Sequence, residues 1–235
     1  MALDVYVGSL TRYYAGEWKN VPPEAPRALG RPPQPSRRSV GGGVPTQAEL
    51  RPTILAWRAG LARSLGNRIE TPLDWDEGEQ TPYFSGRPGW DGFGSLVLWA
   101  AYAEHPAVRL PASLPEEWDH DPVLMRSTAT AFRSRYSHLV RNVELWLPGS
   151  LEFTFEGEDV DGRRAVMGSA ESLHRQLEEL NAATWKAGAG TVVGWGGEPP
   201  LKDAPLEQNA RYGFAVMFDL ARRAITHRLP MKLDY

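Results

Sequence analysis

The chain has 235 residues, 42% of them hydrophobic and 10% aromatic, a formal net charge of −3 and no cysteine. That apolar content excludes a wholly disordered chain, and the longest apolar run, the eight residues Leu96 to Ala103, is far below the roughly 20 that a membrane-spanning helix needs. Without cysteine there is no disulfide, no thiolate nucleophile and no zinc site of the Cys type.

Leu3-Asp4-Val5-Tyr6-Val7 alternates and is rich in β-formers, which predicts a strand ending at Gly8. Ser9 to Trp18 is aromatic and polar. The stretch 21–45 carries seven prolines and four glycines, with few donors for a hydrogen-bond ladder and few apolar anchors. It is expected to be a partly mobile excursion. Thr46 and Glu49 then have capping-box spacing for a helix carrying Ile54, Trp57, Leu61 and Leu65, with Pro52 placed to kink it. A second helix is expected from Asp91 as N-cap to His105, apolar nearly all round and therefore central. A third begins at Asp121-Pro122 and is expected to bury Leu124, Ala131, Phe132, Tyr136 and Leu139.

The period then changes to two. Val143–Leu147, Leu151–Phe155 and Arg164–Met167, with turns at Pro148-Gly149 and Asp161-Gly162, read as a three-stranded antiparallel meander. Helix four carries Leu173, Leu177, Leu180 and Trp185. Thr191 to Val193 reads as a short strand in a glycine-rich stretch. The last helix starts near Pro205 and turns Leu206, Ala210, Phe214, Met217, Ala221 and Ile225 inward. Strands grouped together, rather than alternating with helices, predict an α+β fold. It would be an antiparallel sheet, the N-terminal strand plus the meander, packed against about five helices in a single domain spanning 1–235.

The net charge conceals a segregation. The stretches 70–80, 116–121 and 152–161 hold 14 acids and no Lys or Arg, so the remainder is strongly basic. No basic stripe interleaved with aromatics appears, so nucleic acid is not an expected partner. No charged-then-apolar leader opens the chain, and a cytoplasmic location is expected.

Two of the acidic stretches share the pattern Pro-x-acid-Trp-Asp: Pro72-Leu73-Asp74-Trp75-Asp76, running on into Glu77, and Pro115-Glu116-Glu117-Trp118-Asp119. Pro88-Gly89-Trp90-Asp91 is a shorter relative. On one reading each Trp pins a connection to the core while the acids cap a helix. On the other, an amphipathic ring inside a charged rim has the composition of a hot spot for a basic partner. Asp74, Trp75, Asp76, Glu77, Glu117, Trp118 and Asp119 would then bind a basic protein, with the two loops side by side as one ridge. A second candidate is Arg12, Tyr13, Tyr14 and Trp18, a partly exposed cluster in which an Arg among rings suits stacking on a planar or anionic ligand.

Signals for catalysis are weaker. Glu77-Gly78-Glu79 and Glu156-Gly157-Glu158 have the Glu-x-Glu spacing of ADP-ribosyltransferases, in which one carboxylate activates the nucleophile and the other holds the ribose. Arg12 and Ser127-Thr128 stand in the order that class shows, but 18 Glu produce such spacings by chance. The run 188–197 lacks the Lys-Ser/Thr of a phosphate-binding loop. Asp74-x-Asp76-x-Gly78 departs from a calcium loop at the fifth ligand and the sixth-position glycine, and the five histidines are scattered. No metal and no cofactor is expected.

The opening Leu3 to Tyr14 (LDVYVGSLTRYY) and the ending Leu229 to Tyr235 (LPMKLDY) resemble a family of uncharacterised bacterial proteins. The resemblance implies no particular activity and no catalytic residues. Small acidic α+β proteins of this kind often serve as immunity or antitoxin-like partners. The expected function is accordingly a binding protein that neutralises or regulates a basic protein partner, such as a toxin. The alternative is an enzyme with its pocket between the Arg12/Tyr13/Tyr14/Trp18 segment and the strands of 143–167.

Overall fold

The computed structural model describes residues 3–19, 45–69 and 71–235; the excursion expected at 21–45 lies, Pro45 apart, outside the described residues. Alternating apolar residues at both chain ends build adjacent strands. β1 (Asp4–Val7) pairs antiparallel with the C-terminal strand Met231–Asp234, Val5 opposite Leu233 and Val7 opposite Met231. Between them in sequence lie β2 (Phe84–Gly86), β3 (Val143–Leu147), β4 (Phe155–Glu158) and β5 (Arg164–Ser169), so the C-terminal strand is β6. The sheet order is β2-β1-β6-β3-β5-β4.

The class is α+β, as expected, but the meander is not one. β3 and β5 run parallel, Trp146 opposite Gly168, and β4 lies outside β5 at the edge, at 155–158 rather than 151–155. Only the turn between β4 and β5 is a hairpin. Asp159 organises it, its Oδ1 accepting from the backbone N–H groups of Asp161 and Arg163 at 3.0 Å each. Pro148-Gly149 instead opens a longer connection in which Leu151 is buried and its carbonyl accepts from the Ser172 hydroxyl at 2.7 Å. β1 joins β2 and β6, not β3–β5.

Among the described residues there are eight α-helices: α1 (Leu10–Tyr14), α2 (Gln47–Leu65), α3 (Gly89–Glu104), α4 (Pro122–Thr128), α5 (Ser137–Val140), α6 (Ala170–Ala183), α7 (Ala189–Trp195) and α8 (Leu206–His227). Both halves of the Thr46/Glu49 capping box are formed, and α2 passes through Pro52 as one helix despite the missing donor. Asp91 is not an N-cap, because α3 starts at Gly89; Asp91 is exposed in the first turn, where its charge still complements the helix dipole. The helix expected from Asp121 stops at Thr128. Ala131 is exposed and Phe132 half-buried, while Tyr136 and Leu139 reach the core around the separate turn α5. Thr191 to Val193 is helical: α7 buries Val192 and sets Trp195 against Phe214 of α8, and that packing outweighs β-branched propensity. Trp185 lies beyond the end of α6, and Ile225 is at the surface.

The sheet separates two apolar layers. On one face α3, α6 and α8 pack with Val5, Val7, Trp146, Met231 and Leu233. On the other, α1, α2 and the segment 71–81 pack Leu10, Ile54, Leu73 and Trp75 over Leu145, Leu147 and Met167. α3 and α8 cross at Gly92 and Gly213. A Cβ on Gly213 would sit 2.2 Å from the Gly92 carbonyl oxygen, so the approach requires glycine. This crossing sets the first turn of α3 beside the second turn of α8. No helix among the described residues is long and apolar enough to cross a membrane.

Candidate functional site

The two Trp-centred acidic loops have opposite fates. In the first, Glu77 is 3% exposed and accepts the backbone N–H groups of Leu10 (3.1 Å) and Thr11 (2.8 Å), together with the indole N–H of Trp75. It is an N-cap supplied from far along the chain to α1. Asp76 accepts from the Thr81 hydroxyl at 2.7 Å and from Gly78 N–H at 2.9 Å, and these bonds, the hydroxyl's first, hold its carboxyl below the usual range. Trp75 is buried, with the Arg58 guanidinium 4.9 Å over its ring; Arg58 also meets Asp74 at 3.3 Å. The loop braces α1 and α2 against the sheet.

The second loop leaves its charges unused. Trp118 is half-buried, lying across Gly94 of α3, where a Cβ would stand 2.7 Å from the indole, and edge-on to Phe93 at 6.5 Å. Asp121 caps α4, accepting from Val123 N–H at 2.8 Å and Leu124 N–H at 3.2 Å. Glu116, Glu117 and Asp119 are exposed. Asp119 meets His120 at 3.2 Å, and the carboxylates of Glu116 and Glu117 have no partner among the described residues. Trp75 belongs to the layer beneath α2, whereas Trp118 rests on α3 of the opposite layer. The two loops therefore do not form the single ridge that their shared sequence pattern suggests.

Arg12, Tyr13, Tyr14 and Trp18 do come together, but as a closed network. Arg12 donates to the carbonyls of Thr81 (2.6 Å) and Glu79 and lies 4.5 Å over the ring of Tyr83. Trp18 is fully buried, stacked on Tyr13 at 5.9 Å. Tyr13 donates to Asp234 at 2.9 Å and Tyr14 to Asp159 at 3.3 Å. Beside both rings lies Lys232, 3% exposed, 3.6 Å from Asp159. Burial first, and then the Asp234 and Asp159 carboxylates, push the two phenols far above their ordinary value, so neither acts as a base near neutrality. Arg12 also lines an open polar cleft of about 420 Å³ with Gln47 and Glu79.

The catalytic constellations are not assembled. Glu77 is committed to α1 while Glu79 is exposed, Glu156 pairs with Arg164 at 2.9 Å, and Ser127-Thr128 ends α4 on the opposite side of the sheet from Arg12. Ser127 Oγ lies 3.2 Å from His105 Nε2, the separation of a nucleophile and its base, yet Ser127 is completely buried and no carboxylate bonds the other ring nitrogen among the described residues. No three His, Asp or Glu side chains gather to hold a metal among the described residues.

What sequence reasoning missed opens along the N-terminal half of α8. The backbone N–H of Leu206, at the start of α8, donates to the Ala112 carbonyl at 2.9 Å, tying the approach to that loop to α8. Two clefts lie there, one toward α7 and one toward the start of α3. One, of about 510 Å³, is walled by Trp195, Glu198, Pro200, Glu207, Arg211 and Tyr212. The other, of about 280 Å³, is walled by Arg87, Trp90, Asp91 and Pro199, and shares Pro200 and Tyr212 with the first. The Arg211 guanidinium pairs with Glu207 at 2.5 Å and lies 5.2 Å over the Trp195 ring. Arg87 is held by both oxygens of Asp4, at 2.6 and 2.8 Å, and its carbonyl accepts from the Tyr212 hydroxyl at 2.9 Å. Trp90-Asp91 and Pro199-Pro200 were visible in the sequence; their meeting with Trp195 and Tyr212 depends on how α7 and α8 pack.

No protein-family model, no curated protein and no solved structure matches the chain.

Proposed function

We propose that the chain is a non-catalytic binding protein that engages a basic protein partner through the Trp118 loop, in the manner of an immunity or antitoxin protein. The observation that carries this reading is the half-buried Trp118 indole seated over Gly94, with the exposed carboxylates of its sequence neighbours Glu116, Glu117 and Asp119. A large ring with one apolar face against the core and the other open is the usual anchor of an interface, and surrounding charge steers an oppositely charged partner toward it. The buried acids point the same way. Glu77 caps α1, Asp159 faces Lys232, Asp4 holds Arg87, and Asp219 holds Arg222 and Arg223, so each has a structural partner.

The test is a photo-crosslinking amino acid in place of Glu117, introduced into the full chain in its native host. A basic protein should be captured. Capture should fall about 30-fold or more on Trp118→Ala, the loss typical of a hot spot. It should also weaken between about 50 mM and about 500 mM salt, as steering charges are screened. Capture indifferent both to Trp118 and to salt refutes the reading.

A further inference from the structure

Resting on that reading, we propose that the paired clefts along the N-terminal half of α8, which share Pro200 and Tyr212, receive an extended, proline-containing basic segment of the partner. The lining is what such a segment needs. Trp90 and Trp195 offer partly exposed rings, and Pro199 and Pro200 form rigid walls that lose little entropy when covered. Two concavities sharing one wall suit an extended chain whose ring-bearing residues recur with the three-residue turn of polyproline II.

The polar groups agree. Proline has no N–H, so a proline-rich ligand asks for few acceptors from its groove, where the Tyr212 hydroxyl bonds the Arg87 carbonyl and Arg211 pairs with Glu207. Charge fixes the flanks. Arg211 is neutralised by Glu207 and Arg87 by Asp4, whereas Asp91 and Glu198 have no partner among the described residues. The rim is therefore net negative, and it complements Lys or Arg beside the prolines. The apolar surface also runs past the clefts, for Leu201, next to Pro200, is 84% exposed and Val193 of α7 is 59% exposed.

Fluorescence anisotropy on the full chain tests this with three labelled decapeptides: an Arg-Pro-Pro repeat, an Arg-Ala-Ala repeat of the same charge, and a Glu-Pro-Pro repeat. The first should bind about tenfold or more tightly than the second, and the third should not bind. Glu198→Lys, at an exposed loop position, should weaken the Arg-Pro-Pro repeat about fivefold or more, while Glu171→Lys on α6 should leave it unchanged. Trp195→Ala should abolish binding, but Trp195 also packs on Trp185 and Phe214, so Glu198→Lys carries the decision. Equal affinity for the two arginine peptides, or affinity unmoved by Glu198→Lys, overturns the proposal. So does a concentration-dependent dimer that Glu198→Lys dissolves, because the occupant is then a second copy of the chain. Crosslinking from position 117 that persists without peptide binding removes this inference and leaves the partner reading standing. Peptide binding with capture indifferent to Trp118 and salt does the converse.

Discussion

Acidification should destabilise this protein through His138. Its side chain is completely buried beside α5, where Nδ1 accepts the Ser169 N–H at 3.0 Å, so the proton of the neutral ring sits on Nε2, which has no partner among the described residues. Burial, the dominant cause, lowers the pKa from 6.5 to about 4, with Glu152 raising it and Arg175 lowering it further. Below about pH 6.5 the unfolded chain takes up the proton while the folded chain does not, so stability falls as pH falls. At about 1.4 kcal/mol per pH unit of displacement, the loss from this one group is about 2 kcal/mol by pH 5 and about 3 kcal/mol by pH 4. The assay is urea unfolding of the wild type and of His138→Asn between pH 7 and pH 4. Asn keeps an acceptor near the Ser169 N–H and does not titrate. It should be less stable than wild type at pH 7, by about 1–3 kcal/mol, for the volume it loses. The gap should then close or reverse as the pH drops. Parallel stability profiles for the two proteins would show that His138 is not the titrating group.

Two further outcomes follow from the loops. Glu77→Ala should strip acceptors from the N–H groups of Leu10 and Thr11 and from the Trp75 indole, costing about 2 kcal/mol, or roughly 4–8 °C in Tm; a thermal midpoint unchanged by the substitution contradicts the capping role. Gly94→Ala should drive Trp118 off α3, lowering stability by about 1–3 kcal/mol and red-shifting tryptophan emission, and an unmoved emission maximum would mean that the indole does not rest there.

The charge of the Pro-x-acid-Trp-Asp loops was written in the residues, but its use was not. Residues 72–77 and 115–119 look alike along the chain, yet one lies against the N-terminus of α1 and buries a carboxylate that caps it, while the other lies over a glycine of α3 and leaves its carboxylates in water. A carboxylate accepts bonds from whatever donors reach it, and those donors come from helices 67 residues away in the first case.

Local pattern by itself determined the α+β class, the strand of residues 4–7, the capped start of α2, the Asp121-Pro122 start of α4 and the amphipathic course of α6 and α8, because capping and periodicity are properties of neighbours in sequence. Tertiary structure decided the rest. β2 is three residues long, too short for a period-two signal, and is a strand because β1 completes its ladder, while β6 is held between β1 and β3. β5 pairs parallel to β3 rather than continuing a meander, with Trp146 and Met167 buried on opposite faces of the sheet. Gly92 and Gly213 let α3 and α8 touch, and a close approach between residues that far apart leaves no trace in the spacing of either one.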